Sequence, residues 1–304
     1  MARPDSPVVA AEIREAVDAG RAVVALESTI ITHGLPRPRN LDVAHEAEAL
    51  LREAGVVPAT VGVVDGVPTV GLSDDQIAAL AADDAAEKLS IRDLPVAAAK
   101  NWTGGTTVAA TALLAHRAGV AVFATGGLGG VHHGASETFD ESADLTALAD
   151  IPIVVVSAGA KSILDVGATL ERLETLSIPV VGWRTDRYPG FYVPDSGHPV
   201  PHTVDSAAEV ATMVAASDDL GLRAALLVAN PVPEHAQLPA AEHDAALARA
   251  WEAAREHGIT GKATTPFLLE HLLSTTGGRS LEVNVALYSN NVSVGAEIAR
   301  ALAL

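Results

Sequence analysis

The chain has 304 residues, 49% of them hydrophobic but only 3% aromatic, with no cysteine and a formal net charge of −18. The lack of cysteine excludes disulfides, thiolate metal sites and cysteine nucleophiles, and the negative field opposes nucleic-acid binding through a broad basic patch. No apolar run reaches membrane-spanning length and the opening "MARPDSPVVAAEIREAV" lacks a signal-peptide core, so a soluble, cytoplasmic protein without membrane contact is expected.

Residues 1–20 read as a leading segment, partly helical. "AVVALESTIIT" (Ala22–Thr32) reads as a strand, apolar nearly throughout, with Glu27 in its middle. A buried carboxylate is costly unless paired, and burial raises its pKa toward the range useful to a general acid. The alternative is an ion pair with Arg37 or Arg39 of "HGLPRPRN". A helix follows from about Asn40, with Val43, Ala47, Leu50 and Ala54 on one face, and then a strand at Thr60–Val64. Lys88 in "EKLSIRDLP" reads as a solvated charge unless the site needs a phosphate partner.

"NWTGGTTVAAT" leads into a helix over Thr107–His116, and a strand at Val120–Thr125 leads into "TGGLGGVHHGA". Neither glycine group matches G-x-G-x-x-G, so a dinucleotide site is not supported, although both let backbone approach a ligand. His132 and His133 are adjacent, and a regular element would point them apart. In "GASETFDESADLTALAD", Asp140, Glu141 and Asp144 crowd a turn before a short helix capped by Ser142. The first turn of that helix could hold a phosphate and Asp140 a hard divalent cation through water; a solvated acidic turn is the alternative.

"DIPIVVV" is a buried strand, and "SILDVGATLERLETL" is a helix over Ile163–Thr175, with Ser162 and Asp165 forming an S-x-x-D capping pattern. Lys161, one of four lysines, therefore falls between strand end and helix start. There the helix dipole and partial burial would favour the neutral, nucleophilic amine; a surface lysine is the alternative. "AGAKS" lacks the glycines of a Walker A loop. Strands at Pro179–Gly182 and Ala224–Ala229 and helices at Ser206–Ala216, Pro239–Glu256 and Leu281–Leu304 complete the pattern. His198 and His202 are separated by prolines that forbid a helical metal pair. The expectation is a single α/β domain over 1–304, a largely parallel sheet buried between helices, with ligands at the carboxyl ends of its strands.

Nine segments together resemble one family, the pseudouridine-5′-phosphate glycosidases or indigoidine synthase A-like proteins. They are "ALESTIITHGLPRPRN", "KLSIRDLP", "GGTTVAAT", "ATGGLGGVHHGA", "FDESADL", "AGAKSILDVGATLERLETL", "ANPVPEHA", "GKATTPFLLEHL" and "NVALYSNNVSVGAEIA", spread from Ala25 to Arg300. The resemblance implies reversible cleavage of pseudouridine 5′-phosphate to uracil and ribose 5-phosphate by a metal-dependent homotrimer, usually with manganese (Mn2+) and without an organic cofactor. It makes Lys161 the nucleophile that forms a Schiff base with ribose C1′, Glu27 the proton donor and Asp140 the metal ligand. It places Lys88, Val108, Ser142, Ala143 and Asp144 against the substrate. Competing readings are an N-nucleosidase, a phosphosugar lyase, or a sugar-phosphate-binding protein without turnover.

Overall fold

The computed structural model describes residues 7–259 and 264–303, apart from the side chains of Thr265 and Pro266. Lys262 and the first residues of "GKATTPFLLEHL" lie outside the described residues. The strands are β1 (Val8–Val9), β2 (Val23–Leu26), β3 (Val57–Val64), β4 (Val67–Val70), β5 (Glu87–Leu89) and β6 (Gly104–Thr106). They continue with β7 (Val122–Ala124), β8 (Val154–Ser157), β9 (Val180–Trp183), β10 (His202–Val204) and β11 (Leu226–Ala229). Helices α1 (Ala11–Asp18), α2 (Arg39–Glu53), α3 (Asp74–Ala82), α4 (Leu94–Lys100), α5 (Val108–Arg117) and α6 (Ala135–Thr138) come from the first half. The second half supplies α7 (Ala143–Leu148), α8 (Val166–Thr175), α9 (Ala207–Asp219), α10 (Ala240–Glu256), α11 (Thr264–Thr275) and α12 (Arg279–Leu302).

The main sheet runs β1-β4-β3-β2-β7-β8-β11-β9-β10, with β5 and β6 attached beside β3. Its centre is parallel: Val24 pairs with Val122, Val122 with Val154, and Val154 with Leu226. Among the named strands of the described residues, antiparallel pairing is confined to β3 with β4 and β3 with β6. The α/β class, the parallel sheet and the flanking helices agree with the sequence. Every residue of β2, β7, β8 and β11 is buried, which is why these strands read as unbroken apolar runs rather than alternating ones. Among the described residues, no helix is long and apolar enough to cross a membrane.

Two local expectations are corrected. The strand expected over Ala22–Thr32 stops at Leu26, and Ile30–Gly34 coil into a π-helical turn. The hydroxyls of Ser28 and Thr29 donate to the carbonyls of Val61 and Thr106, drawing the chain away from the ladder. The second correction concerns Ser162, which caps no helix. Helix α8 starts at Val166, and Asp165 is its N-cap, accepting from the Ala168 amide at 2.9 Å. Ser162 Oγ is buried without a hydrogen-bond partner among the described residues.

Helix α12 crosses the sheet along β2, β7 and β8. Gly295 allows this approach, since a Cβ there would lie 3.2 Å from the Ala124 side chain. The same face carries Leu287, Tyr288 and Asn291, all buried, toward the carboxyl ends of the strands.

Candidate active site

Four parallel strands end side by side, and the residues just past their ends carry the polar groups. Glu27 follows β2, Thr125 follows β7, Lys161 lies four residues past β8, and Asn230 follows β11. Glu27 is only 6% exposed. Its carboxylate accepts a hydrogen bond from the Thr125 hydroxyl, a partner 98 residues away in sequence. The arginines weighed as partners are engaged elsewhere, Arg37 with Asp84 and Arg39 with Glu46 at 2.6 Å. Burial raises the Glu27 pKa. The positive charge of Lys161 and the Thr125 hydrogen bond pull it back, Asp144 pushes it up again, and Lys88 adds a smaller opposing pull.

Lys161 is half-buried in a turn, not at a helix start, so the dipole of α8 is not what sets its environment. Its backbone is fixed by neighbours instead. The Lys161 amide donates to the Leu128 carbonyl at 3.0 Å, and Leu128 donates back to Gly159 at 2.9 Å. The Ala160 amide donates to the buried Tyr188 hydroxyl at 2.9 Å. This lacing holds the lysine segment against the glycine loop after β7.

That loop has no room for side chains. A Cβ on Gly129 would collide with the Ser142 side chain and the Asp144 carboxylate. Asp144, 6% exposed, accepts from the Gly129 amide and from the Ala109 amide, both at 2.9 Å. It therefore joins the glycine loop to the first turn of α5, where Val108 is buried and Thr107 is the N-cap. Ser142 caps α7 as expected, accepting from the Asp144 amide at 3.2 Å, and Ala143 opens that helix exposed to solvent. The acidic turn thus divides by task. Glu141 pairs with Arg172 at 2.8 Å, Asp144 binds backbone amides, and half-buried Asp140 accepts at its backbone carbonyl from the His132 amide at 3.0 Å.

Lys88 on β5 is exposed, and its charge acts on the same group of residues. Protein around it reduces hydration and lowers its pKa, the charge of Lys161 lowers it further, and Glu27 and Asp144 oppose both effects. His33 and His132 are likewise held below the usual imidazole range, chiefly by burial, and each feels the charge of Lys88. Glu27, Lys88, Asp144 and Lys161 therefore share one electrostatic neighbourhood, with His33, His132 and Asp140 around it. The two adjacent histidines have different surroundings: His132 feels the charges of Asp140 and Lys88, while His133 makes an edge contact with Trp251 at 5.3 Å between ring centres. Thr125 and His33 had no signal in sequence, because their significance lies in contacts between distant segments.

Among the described residues no set of three histidine, aspartate or glutamate side chains could close a metal shell. Asp140 alone offers one carboxylate, a donor type suited to a hard divalent ion that would keep most of its water.

Fold and site define an α/β enzyme with a buried carboxyl group past β2 and a lysine amine past β8, on either side of β7. A family model described as indigoidine synthase A like protein matches residues 12–301. A pseudouridine-5′-phosphate glycosidase of Saccharopolyspora erythraea is 67% identical over 297 residues, covering 98% of each chain. A crystal structure of a prealnumycin C-glycosynthase in complex with ribulose 5-phosphate superposes with a TM-score of 0.91 at 37% identity, covering 99% of this chain and 98% of that one. An indigoidine synthase A-like protein of Thermotoga maritima superposes with a TM-score of 0.90 at 37% identity, covering 100% and 99%. The chain belongs to the indigoidine synthase A-like family.

Proposed function

We propose that the protein is a pseudouridine-5′-phosphate glycosidase, interconverting pseudouridine 5′-phosphate and water with uracil and ribose 5-phosphate in the cytoplasm. The observation that carries this reading is the buried Glu27 carboxyl, inclined by burial to keep its proton, in the electrostatic field of Lys161 within one strand-end cleft. The names of its relatives, one acting on this nucleotide and one a C-glycosynthase in complex with a pentulose phosphate, support the same reading.

The chemistry explains why these groups are needed. The bond to be broken joins C1′ of ribose to a carbon of uracil, so no leaving oxygen is available for a carboxylic acid to protonate, as in ordinary glycosidases. In the synthetic direction, the Lys161 amine condenses with C1′ of open-chain ribose 5-phosphate and releases water, leaving an iminium. C5 of uracil adds to this electrophile and then loses its proton. Closure of the ribose ring through O4′ finally displaces the lysine. Cleavage is the reverse: the ring opens as O4′ gains a proton, uracil leaves as C5 is protonated, and water releases the sugar. Glu27 is the group that gives and takes the proton at O4′.

Recognition of the dianionic phosphate needs cations concentrated in one place, because the chain as a whole carries −18. Lys88 supplies one, and the first turns of α5 and α7, which carry Val108 and Ser142, Ala143 and Asp144, would lie against the sugar phosphate. Asp140 would hold a manganese or similar divalent ion, whose charge would help to fix the phosphate. A homotrimer is part of the proposal and is tested by sedimentation.

Release of uracil from pseudouridine 5′-phosphate, with uridine 5′-phosphate as control, tests the proposal. Turnover of uridine 5′-phosphate alone would make the protein an N-nucleosidase. Binding of ribose 5-phosphate without turnover of any nucleotide would make it a binding protein.

A further inference from the structure

Two of the family-like motifs, "ANPVPEHA" and "NVALYSNNVSVGAEIA", supply no group to the reaction as outlined, yet each places an asparagine beneath the cleft. Asn291 on α12 is fully buried and Asn230, just past β11, is 3% exposed. The Asn291 amide donates to the Thr125 carbonyl at 2.8 Å and to the Gly126 carbonyl at 3.3 Å. Its own oxygen accepts from the Asn230 side chain at 2.9 Å. Asn230 is anchored in turn by its backbone amide, which donates to the Ser157 carbonyl at 2.8 Å. A chain of hydrogen bonds therefore runs from the ends of β8 and β11 through two asparagines to Thr125, whose hydroxyl holds Glu27.

We infer that Asn291, oriented by Asn230, is a positioning residue that fixes Thr125 and, through it, the carboxyl of Glu27. The inference rests on the proposed role of Glu27 only for its effect on turnover; the geometry it describes does not depend on the substrate. Gly126 O has a second donor, the Ala158 amide at 2.9 Å, so it can lose Asn291 without being orphaned. The Thr125 carbonyl has Asn291 as its donor, and Thr125 is fully buried. Removing that donor leaves a buried carbonyl unsatisfied, and the backbone of residue 125 must shift to find another. A shift there moves the hydroxyl away from Glu27. A purely structural asparagine would stabilise the loop without touching the carboxyl.

The test follows Glu27 directly, through the stretching band of its protonated carboxyl in difference infrared spectra, assigned by its loss in Glu27→Gln. The Thr125 hydroxyl donates to Glu27 and so favours the ionised form; losing it raises the pH at which the band disappears. Thr125→Val and Asn291→Ala are each expected to move the titration upward by roughly half a pH unit or more, and Asn291→Ala in the Thr125→Val background to add nothing further. With pseudouridine 5′-phosphate, kcat of Asn291→Ala is expected to fall roughly tenfold while KM holds. Asn230→Ala, which leaves the bond to Thr125 in place, is expected to move the band in the same direction by less, and it takes the place of Asn291→Ala if that variant does not fold. A band titrating at the parental pH, or moving as far in the Thr125→Val background as outside it, overturns the inference. A band that moves as expected in a protein that does not turn over pseudouridine 5′-phosphate upholds the positioning and overturns the proposed function instead.

Discussion

Glu27 and Thr125 stand just past the carboxyl ends of neighbouring parallel strands, and the Thr125 hydroxyl donates to the Glu27 carboxylate. The pair puts a proton-carrying group at the sheet's centre rather than on a mobile loop. Substitution Glu27→Gln keeps the shape and removes the proton. Turnover is expected to fall by at least roughly a hundredfold, with ribose 5-phosphate binding retained. In the parent, a group acting as an acid must be protonated. Burial lifts its pKa, so the alkaline limb of the pH–rate profile should lie above the ordinary carboxylate range and disappear in Glu27→Gln. Unchanged turnover in that variant would remove Glu27 from the mechanism.

Lys161 is expected to bond covalently to the sugar. Incubation with ribose 5-phosphate and borohydride should reduce an imine and add a ribitol phosphate to the chain, measured as an intact-mass increase and mapped to Lys161 by peptide sequencing. Lys161→Ala should show no increase. A mass increase that persists in Lys161→Ala would falsify the nucleophile assignment.

How much of this was legible in sequence depends on the range of the interaction. The central strands announced themselves because burial on both faces makes them continuous apolar runs, and Ser142 was readable as a cap because its partner lies two residues away. β4, β5, β6 and β10 lack a continuous apolar run, since "VPTV", "EKL", "GGT" and "HTV" carry proline, charge, glycine or histidine, and β1 is only two residues long. Ser162 misled because its S-x-x-D pattern is local, while the loop before α8 is set by distant contacts, such as the Asp165 amide on the Val131 carbonyl at 2.9 Å. Lys161 and Glu27 stood out as charges in apolar runs. Thr125, by contrast, is an ordinary threonine until the fold brings it to a residue 98 positions away.

Lys88 should act in binding more than in the chemical step. Lys88→Met is expected to raise KM for pseudouridine 5′-phosphate by about 10–100-fold, the effect of losing one charge-assisted hydrogen bond, with a smaller change in kcat. Reduced hydration and the charge of Lys161 lower its pKa, so affinity for the phosphate should weaken as pH rises through that lowered value. An alkaline loss of affinity that survives in Lys88→Met would assign it to another cation.

Exhaustive chelation should abolish turnover, and manganese should restore it. Asp140→Ala is expected to require more manganese for half-maximal activity, because it removes the one carboxylate of the acidic turn that is bound neither to Arg172 nor to backbone amides. Calorimetric titration of manganese into each protein gives a readout independent of turnover. Full activity after chelation would remove Asp140 from the site.

The same burial that suits Glu27 to catalysis should weaken the fold at higher pH. A carboxyl whose pKa is raised on folding contributes stability that is fully present below its unfolded pKa and is lost as pH rises through the folded value. Glu27 is such a group, and so is Glu48, 9% exposed, raised by burial and held by a hydrogen bond from the Thr60 hydroxyl. Glutamine cannot ionise, so Glu27→Gln should be the more stable protein at neutral and alkaline pH, with Tm higher on the order of 2 °C. The difference should shrink as pH falls toward the unfolded carboxylate range. Glu48→Gln should show the same trend while leaving kcat unchanged, since Glu48 lies on α2 outside the cleft. Thermal unfolding of the three proteins across pH, followed by circular dichroism, measures both effects. A Tm advantage for Glu27→Gln that grew as pH fell would mean that the native carboxyl is held ionised, and the general-acid role would fall with it.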